Sequence, residues 1–166
     1  MEPRNKTEQI RRIQKAYSDT YHTMPWLSPG AAQSAEQLRK ELLAKIGERS
    51  NAHSGWKFAG TKLFTRSLSP GCELCGQGYW SCLFINGVCN ADCFYCPSDQ
   101  TDTGPPVTSS VVFDSPNDYA DYVEKLHIRG VGFSGGEPLL SYTRVMDYLA
   151  ALEQTQPLHT WMYTNG

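Results

Sequence analysis

The segment Cys89-Asn90-Ala91-Asp92-Cys93-Phe94-Tyr95-Cys96-Pro97 restricts this chain more than any other. It places three thiols at C-x3-C-x2-C spacing just after the apolar run Trp80–Ile85, which reads as a buried strand ended by Asn86-Gly87. A chain that leaves a strand and presents three thiols to one metal centre has little freedom in its next turns. The number three is itself informative. A closed structural zinc site takes four protein ligands, whereas a catalytic metal keeps a position open. An iron–sulfur cube held by three thiolates likewise leaves one iron without a protein ligand, where a small molecule can bind.

A second segment points independently to cofactor chemistry. Val131-Gly132-Phe133-Ser134-Gly135-Gly136-Glu137-Pro138 reads as a buried strand running into a glycine turn, then an acid and a proline. Glycine fits where a ligand must approach the backbone closely, and Glu137 supplies an acceptor for an ammonium group. The cysteine loop, followed about forty residues later by Gly-Gly-Glu-Pro with a helical pattern between, resembles the radical S-adenosylmethionine (radical SAM) enzymes.

The resemblance covers roughly residues 80–166. It implies an α/β fold of the partial (β/α) barrel type, of which this chain supplies the first three βα units. It implies that Cys89, Cys93 and Cys96 hold a [4Fe–4S] cluster. The free iron would be chelated by the amino and carboxylate groups of S-adenosylmethionine. The reduced cluster would pass an electron to the sulfonium, giving methionine and a 5′-deoxyadenosyl radical that abstracts a substrate hydrogen atom. Gly135, Gly136, Glu137 and Pro138 would receive the methionine amino group. Tyr95 stands where the family has an aromatic residue beside the adenine; a ring can stack on a base there, and ordinary core packing is the alternative. Thr164-Asn165-Gly166 also lies near the cofactor in the family, with a polar turn after a strand as the simpler reading. The implied partners are a small-molecule or peptide substrate and a reductant such as flavodoxin or ferredoxin. Glycyl-radical activase, methyltransferase and maturase of a peptide or cofactor remain as competing subtypes.

The bulk properties agree with such an enzyme. The 166 residues allow one domain with a sizeable core. Fifteen basic and 17 acidic side chains nearly balance, and no basic tract points to nucleic acid. No apolar run approaches membrane-spanning length. The polar start Met1-Glu2-Pro3-Arg4-Asn5-Lys6 lacks a signal-peptide core. These features predict a cytoplasmic protein with reduced thiols, whose six cysteines read first as metal ligands.

Residues 1–70 read as a mostly helical extension and 71–166 as the core domain. Residues 7–17 form a helix with Ile10, Ile13 and Tyr17 on one face. Ala31 to Ile46 forms a second, with Ala35, Leu38, Leu42 and Ile46 at helical spacing and expected to pack inward. Lys62–Leu68 suits a strand and Ser69-Pro70-Gly71 a turn. Residues 97–110 read as loop. Ser115-Pro116-Asn117-Asp118 starts a helix with a stripe of Tyr119, Tyr122, Val123 and Leu126, stopped by Gly130. Val131–Phe133 is strand, Ser141 to Leu152 helix and Leu158 to Tyr163 strand. Strands alternating with helices imply parallel βαβ units. Three such strands leave a raw sheet edge, so the chain is expected to be the N-terminal part of a longer polypeptide.

Cys72, Cys75 and Cys82 need a separate reading. Cys72-Glu73-Leu74-Cys75 with Cys82 supplies three ligands for an auxiliary iron–sulfur cluster. The alternative is a CxxC pair of free thiols or a reversible disulfide, with Cys82 a small hydrophobe in its strand. A rival metal reading joins Cys72, Cys75, Cys93 and Cys96 as a four-thiolate zinc site in a non-catalytic binding module. It gives Gly-Gly-Glu-Pro no purpose. His22, His53, His127 and His159 show no metal spacing and suit structural roles.

Overall fold

The computed structural model describes residues 6–49, 54–155 and 158–166. The polar start at residues 1–5 and His53 lie outside the described residues. Helices α1 (Lys6–Ala16), α2 (Ser18–Thr23) and α3 (Pro29–Glu48) come first. Strands β1 (Ser54–Lys57) and β2 (Lys62–Thr65) pair antiparallel, and helix α4 (Pro70–Gln77) follows. Then come β3 (Trp80–Phe84), the short strands β4 (Val107–Thr108) and β5 (Val111–Val112), helix α5 (Pro116–Lys125) and β6 (Gly130–Ser134). A single 3-10 turn at Pro138–Ser141 leads into α6 (Tyr142–Leu152), and β7 (His159–Met162) follows.

The main sheet has the order β5-β4-β3-β6-β7. Strands β3, β6 and β7 are parallel, with Cys82 opposite Gly132 and Gly132 opposite Trp161. The sheet edge on the β3 side is covered, while β7 stands at the other edge. Part of the 97–110 segment read as loop forms β4, which pairs antiparallel with β3 and with β5. Two-residue strands carry too little alternation to register in a sequence, and this hairpin covers backbone groups that β3 would otherwise expose.

Strand alternation divides the sheet into two faces. Ser81, Leu83, Val131 and Phe133 point to a core closed by Tyr119 and Val123 of α5 and Val145, Tyr148 and Leu152 of α6. Burying each such side chain contributes about 1.5–3 kcal/mol. The polar atoms in this core are paired: Tyr119 donates to Ser81 Oγ at 2.9 Å, and Tyr148 donates to the Phe113 carbonyl at 3.0 Å. Helix α5 starts in a full capping box, Ser115 and Asp118 each accepting from the other's backbone N–H. It ends at Lys125, with His127 at φ +54, so Gly130 is the first residue of β6 and not the helix stop.

On the opposite face the indole of Trp161 lies across Gly130 and Gly132, where any Cβ would sit within 3.1 and 2.8 Å of it. Helix α4 packs there, and a Cβ added to Gly71 would sit 3.4 Å from the same indole. The sequence reading made Ser69-Pro70-Gly71 a turn. It is a helix start, with Ser69 as N-cap and Pro70 in the first turn.

The expectation for α3 needs correction. Leu38, Leu42 and Ile46 are 56%, 48% and 37% exposed, and the helix buries none of its residues. Its stability is local: an N-cap bond from Ala31 N to Ser28 Oγ, an Arg39–Glu36 ion pair and a Gln37–Glu41 bond. On α1, Ile10 also faces outward. The strand expected to reach Leu68 stops at Thr65, because Arg66 turns left-handed at φ +69.

Candidate functional site

Three loops leave the carboxyl ends of β3, β6 and β7, the edge of an α/β sheet where ligands bind. The first carries the cysteines, the second Gly-Gly-Glu-Pro and the third Thr164-Asn165-Gly166. Pairing between β3 and β6 continues past both strands. Ile85 N donates to the Ser134 carbonyl, Gly136 N to that of Asn86, and Glu137 N to that of Val88, each at 2.8 Å. This explains both glycines. A Cβ on Gly135, at φ +148, would sit 2.6 Å from the Asn86 oxygen, and one on Gly136 would sit 2.2 Å from the Val88 oxygen. The close approach anticipated for a ligand is made here by the root of the cysteine loop.

That loop is pinned along its length. Gly87 N donates to the Asp102 carbonyl at 2.8 Å, Cys89 N to that of Gln100 at 3.2 Å, and Gln100 Nε2 to that of Cys93 at 3.3 Å. Asp92 turns the chain at φ +46, a conformation that Asp tolerates better than most residues. Cys96 N then donates to the Cys93 carbonyl at 3.0 Å. Cys89, Cys93 and Cys96 are half-buried thiols. Cys89 Sγ accepts from Ala91 N at 3.5 Å and from Asn165 Nδ2 at 3.8 Å, N–H donors of the kind that support a thiolate.

Glu137 is the joint between the loops. It is 3% exposed. Its carboxylate accepts from Leu139 N at 2.9 Å, from Thr164 Oγ1 at 2.9 and 3.0 Å, and from Asn165 N at 2.7 Å. Burial pushes its carboxyl up, but the donors from Asn165, Leu139 and Thr164 prevail and hold it below the usual carboxylate range. The carboxylate expected to receive the methionine amino group thus also accepts from three protein donors, and through them Glu137 shapes the turn. Asn165 carries the connection onward, its Nδ2 reaching Cys89 Sγ and, at 3.1 Å, Asn90 Oδ1. Pro138 is buried behind Glu137 and opens the 3-10 turn.

The N-terminal helices reach the same loop, which no pattern in the sequence announces. Arg12 pairs with Asp99, Tyr17 donates to Asp92, and Tyr21 donates to the Phe94 carbonyl at 3.3 Å. The bond to Asp92 pushes the Tyr17 hydroxyl up to about 12, with partial desolvation adding to it. Asp99 is held below the usual range by Thr101 and then by Arg12. Tyr21 meets Phe94 edge-on at 5.7 Å and stacks with Trp26 at 6.0 Å. Tyr95 is 70% exposed, which overturns core packing for it and leaves its ring open to a stacking partner.

The remaining cysteines do not join this site. Cys72 and Cys75 sit on α4 beside Lys62. Cys82 pairs with Ser134, and burial pushes its thiol up despite that bond. Among the described residues no three His, Cys, Asp or Glu side chains converge on one ion. A zinc site needs four thiolates around a single point, so the set Cys72, Cys75, Cys93 and Cys96 is not brought together. A cube places each thiolate on a different iron. The donor set of Cys89, Cys93 and Cys96 fits that group: one loop offers three half-buried thiols.

Comparison with known proteins agrees. The 4Fe-4S single cluster domain family matches residues 74–166. A Methanocaldococcus jannaschii protein assigned as a glycyl-radical enzyme activating enzyme is 31% identical over 100 residues, covering 58% of this chain and 27% of that protein. The chain thus spans about a quarter of that relative's length. No solved structure matches. The chain belongs to the 4Fe-4S single cluster domain family and, with it, to the radical SAM superfamily.

Proposed function

We propose that this chain carries the cluster-binding part of a radical SAM enzyme of the glycyl-radical activating type. Cys89, Cys93 and Cys96 would hold a [4Fe–4S] cluster, and S-adenosylmethionine would complete the coordination of its free iron. Bound together, these two groups would supply one-electron reductive cleavage of the sulfonium. The chain's own residues bind and orient. Backbone pairing of Asn86–Val88 with Gly136 and Glu137 fixes where the cysteine loop starts, and Glu137 holds the β7 end against it. Tyr95 offers an exposed ring for the adenine.

The observation that carries the proposal is the convergence of three strand-end loops through Glu137 and Asn165 onto Cys89. The activating subtype is favoured over methyltransferase and maturase by the Methanocaldococcus relative. We read β3, β6 and β7 as the first three strands of a (β/α) barrel, with the Trp80–Trp161 face as its interior. A flavodoxin- or ferredoxin-type reductant and a cytoplasmic setting complete the reading. Among the described residues no helix is long and apolar enough to cross a membrane.

The test is anaerobic reconstitution of the chain followed by EPR of the reduced protein. A [4Fe–4S] signal that shifts when S-adenosylmethionine is added is the expected result. Stoichiometric zinc without iron, or a cluster signal indifferent to S-adenosylmethionine, would overturn the proposal.

A further inference from the structure

Cys72 and Cys75 have no part in the site above. Ser69 caps α4 by accepting from Cys72 N at 3.3 Å, so Cys72 lies in the first turn and Cys75 on the same face one turn later. Residues three apart on a helix have Cα atoms about 5 Å apart, inside the range that a disulfide spans. Cys72 is exposed and Cys75 half-buried. Lys62, from β2, donates through Nζ to Cys75 Sγ at 3.4 Å. Both cysteines line a cavity of 350 Å³ walled by Trp80, Trp161, His159 and Tyr163. Lys62 lines it as well, and among the described residues no carboxylate does.

We propose that Cys72 and Cys75 form a redox-active dithiol whose partner is a low-molecular-weight disulfide bearing carboxylates. The exposed Cys72 thiolate attacks one sulfur of the disulfide, forming a mixed disulfide and releasing one thiolate. Cys75 then attacks Cys72 Sγ, closes the Cys72–Cys75 disulfide and releases the second thiolate. Two protein thiols are oxidised by two electrons, and the small disulfide is reduced to two thiols that take up the two protons. Lys62 places an ammonium where charge develops on Cys75 Sγ when the ring reopens, and it attracts a carboxylate of the incoming molecule. The aromatic walls accept the apolar part of that molecule.

The same ammonium separates this proposal from a metal site. A cation ligated by Cys75 would meet a positive charge at hydrogen-bond distance, and among the described residues no third ligand converges on the pair. The dithiol does not depend on the radical SAM reading, since its residues are distinct from the cluster loop.

The experiment uses the full chain with its cluster loaded. The protein is incubated anaerobically with glutathione disulfide, quenched in acid, alkylated and mapped by mass spectrometry. A Cys72–Cys75 disulfide is expected before any other cysteine reacts, and excess dithiothreitol reopens it. Cys75→Ser should accumulate a glutathione adduct on Cys72. Lys62→Met should slow closure several-fold, and Lys62→Arg should restore most of the rate. The proposal is overturned if Cys72 and Cys75 stay reduced while other cysteines oxidise. It is equally overturned if iron or zinc bound at the pair protects it from alkylation, or if Lys62→Met closes at the wild-type rate.

Discussion

Replacing Glu137 by Ala would release three backbone and hydroxyl donors at once, from Leu139, Thr164 and Asn165. A hydrogen bond to a charged acceptor contributes about 1.5–3 kcal/mol. Leu139, Thr164 and Asn165 are themselves exposed, so water can reach them once the carboxylate is gone. The sum therefore falls well short of three full bonds, and a loss of about 2–4 kcal/mol follows. Glu137→Gln keeps the shape and one acceptor oxygen, and should cost about half as much. Urea unfolding of the chain at neutral pH measures both. The pH dependence is a sharper check. The folded carboxyl lies below its ordinary value, so the unfolded chain binds the proton more readily, and stability rises with pH in that window. The Glu137 contribution is complete above the ordinary glutamate value of about 4.3 and is lost as pH falls through the lowered folded value. The gap between wild type and Glu137→Gln should thus narrow on acidification. A gap that is absent at pH 7, or that widens as pH falls, would refute the view that this carboxylate ties the loops together.

Three further outcomes are expected. Gly136→Ala places a Cβ against the Val88 and Gly87 oxygens, so it should displace the root of the cysteine loop and lower iron per chain on reconstitution, measured by metal analysis. Cys89→Ala, Cys93→Ala and Cys96→Ala should each abolish the S-adenosylmethionine-responsive EPR signal, and retention of that signal in any one would remove that residue from the ligand set. Tyr119→Phe leaves Ser81 one partner short in the core and should destabilise by about 1 kcal/mol in urea unfolding without changing iron content.

The parts of the fold legible in the sequence are those where burial writes a period into the chain. Strand β3, helix α5, strand β6 and helix α6 pack on one core, so Leu83, Tyr119, Val123, Val131, Val145 and Leu152 recur at the spacing their elements require. Helix α3 shows the same period for another reason. Its apolar residues face outward, and periodicity reports that a face exists without saying what covers it. Helix α4 was hidden because Pro70-Gly71 has the composition of a turn, although Ser69 with Pro70 is also the signature of a capped start. The cysteine spacing and Gly-Gly-Glu-Pro singled out two segments that the structure pairs at the ends of β3 and β6. The use of Glu137 could not be read from them, since two of its three partners, Thr164 and Asn165, lie 27 and 28 residues away and touch it only after the sheet is assembled.

The contacts of Arg12, Tyr17 and Tyr21 with the cysteine loop set an order of construction. Their partners lie 87, 75 and 73 residues further along the chain, and Asn165 reaches back 76 residues to Cys89. A chain emerging from the ribosome thus completes α1 and α2 long before their partners exist, and completes the loop well before Asn165 arrives to brace it. The thiols reach their final setting only when segments from both directions have closed on them. A metal centre on this loop would therefore meet its final setting only after β7 is made and Asn165 has come back against Cys89.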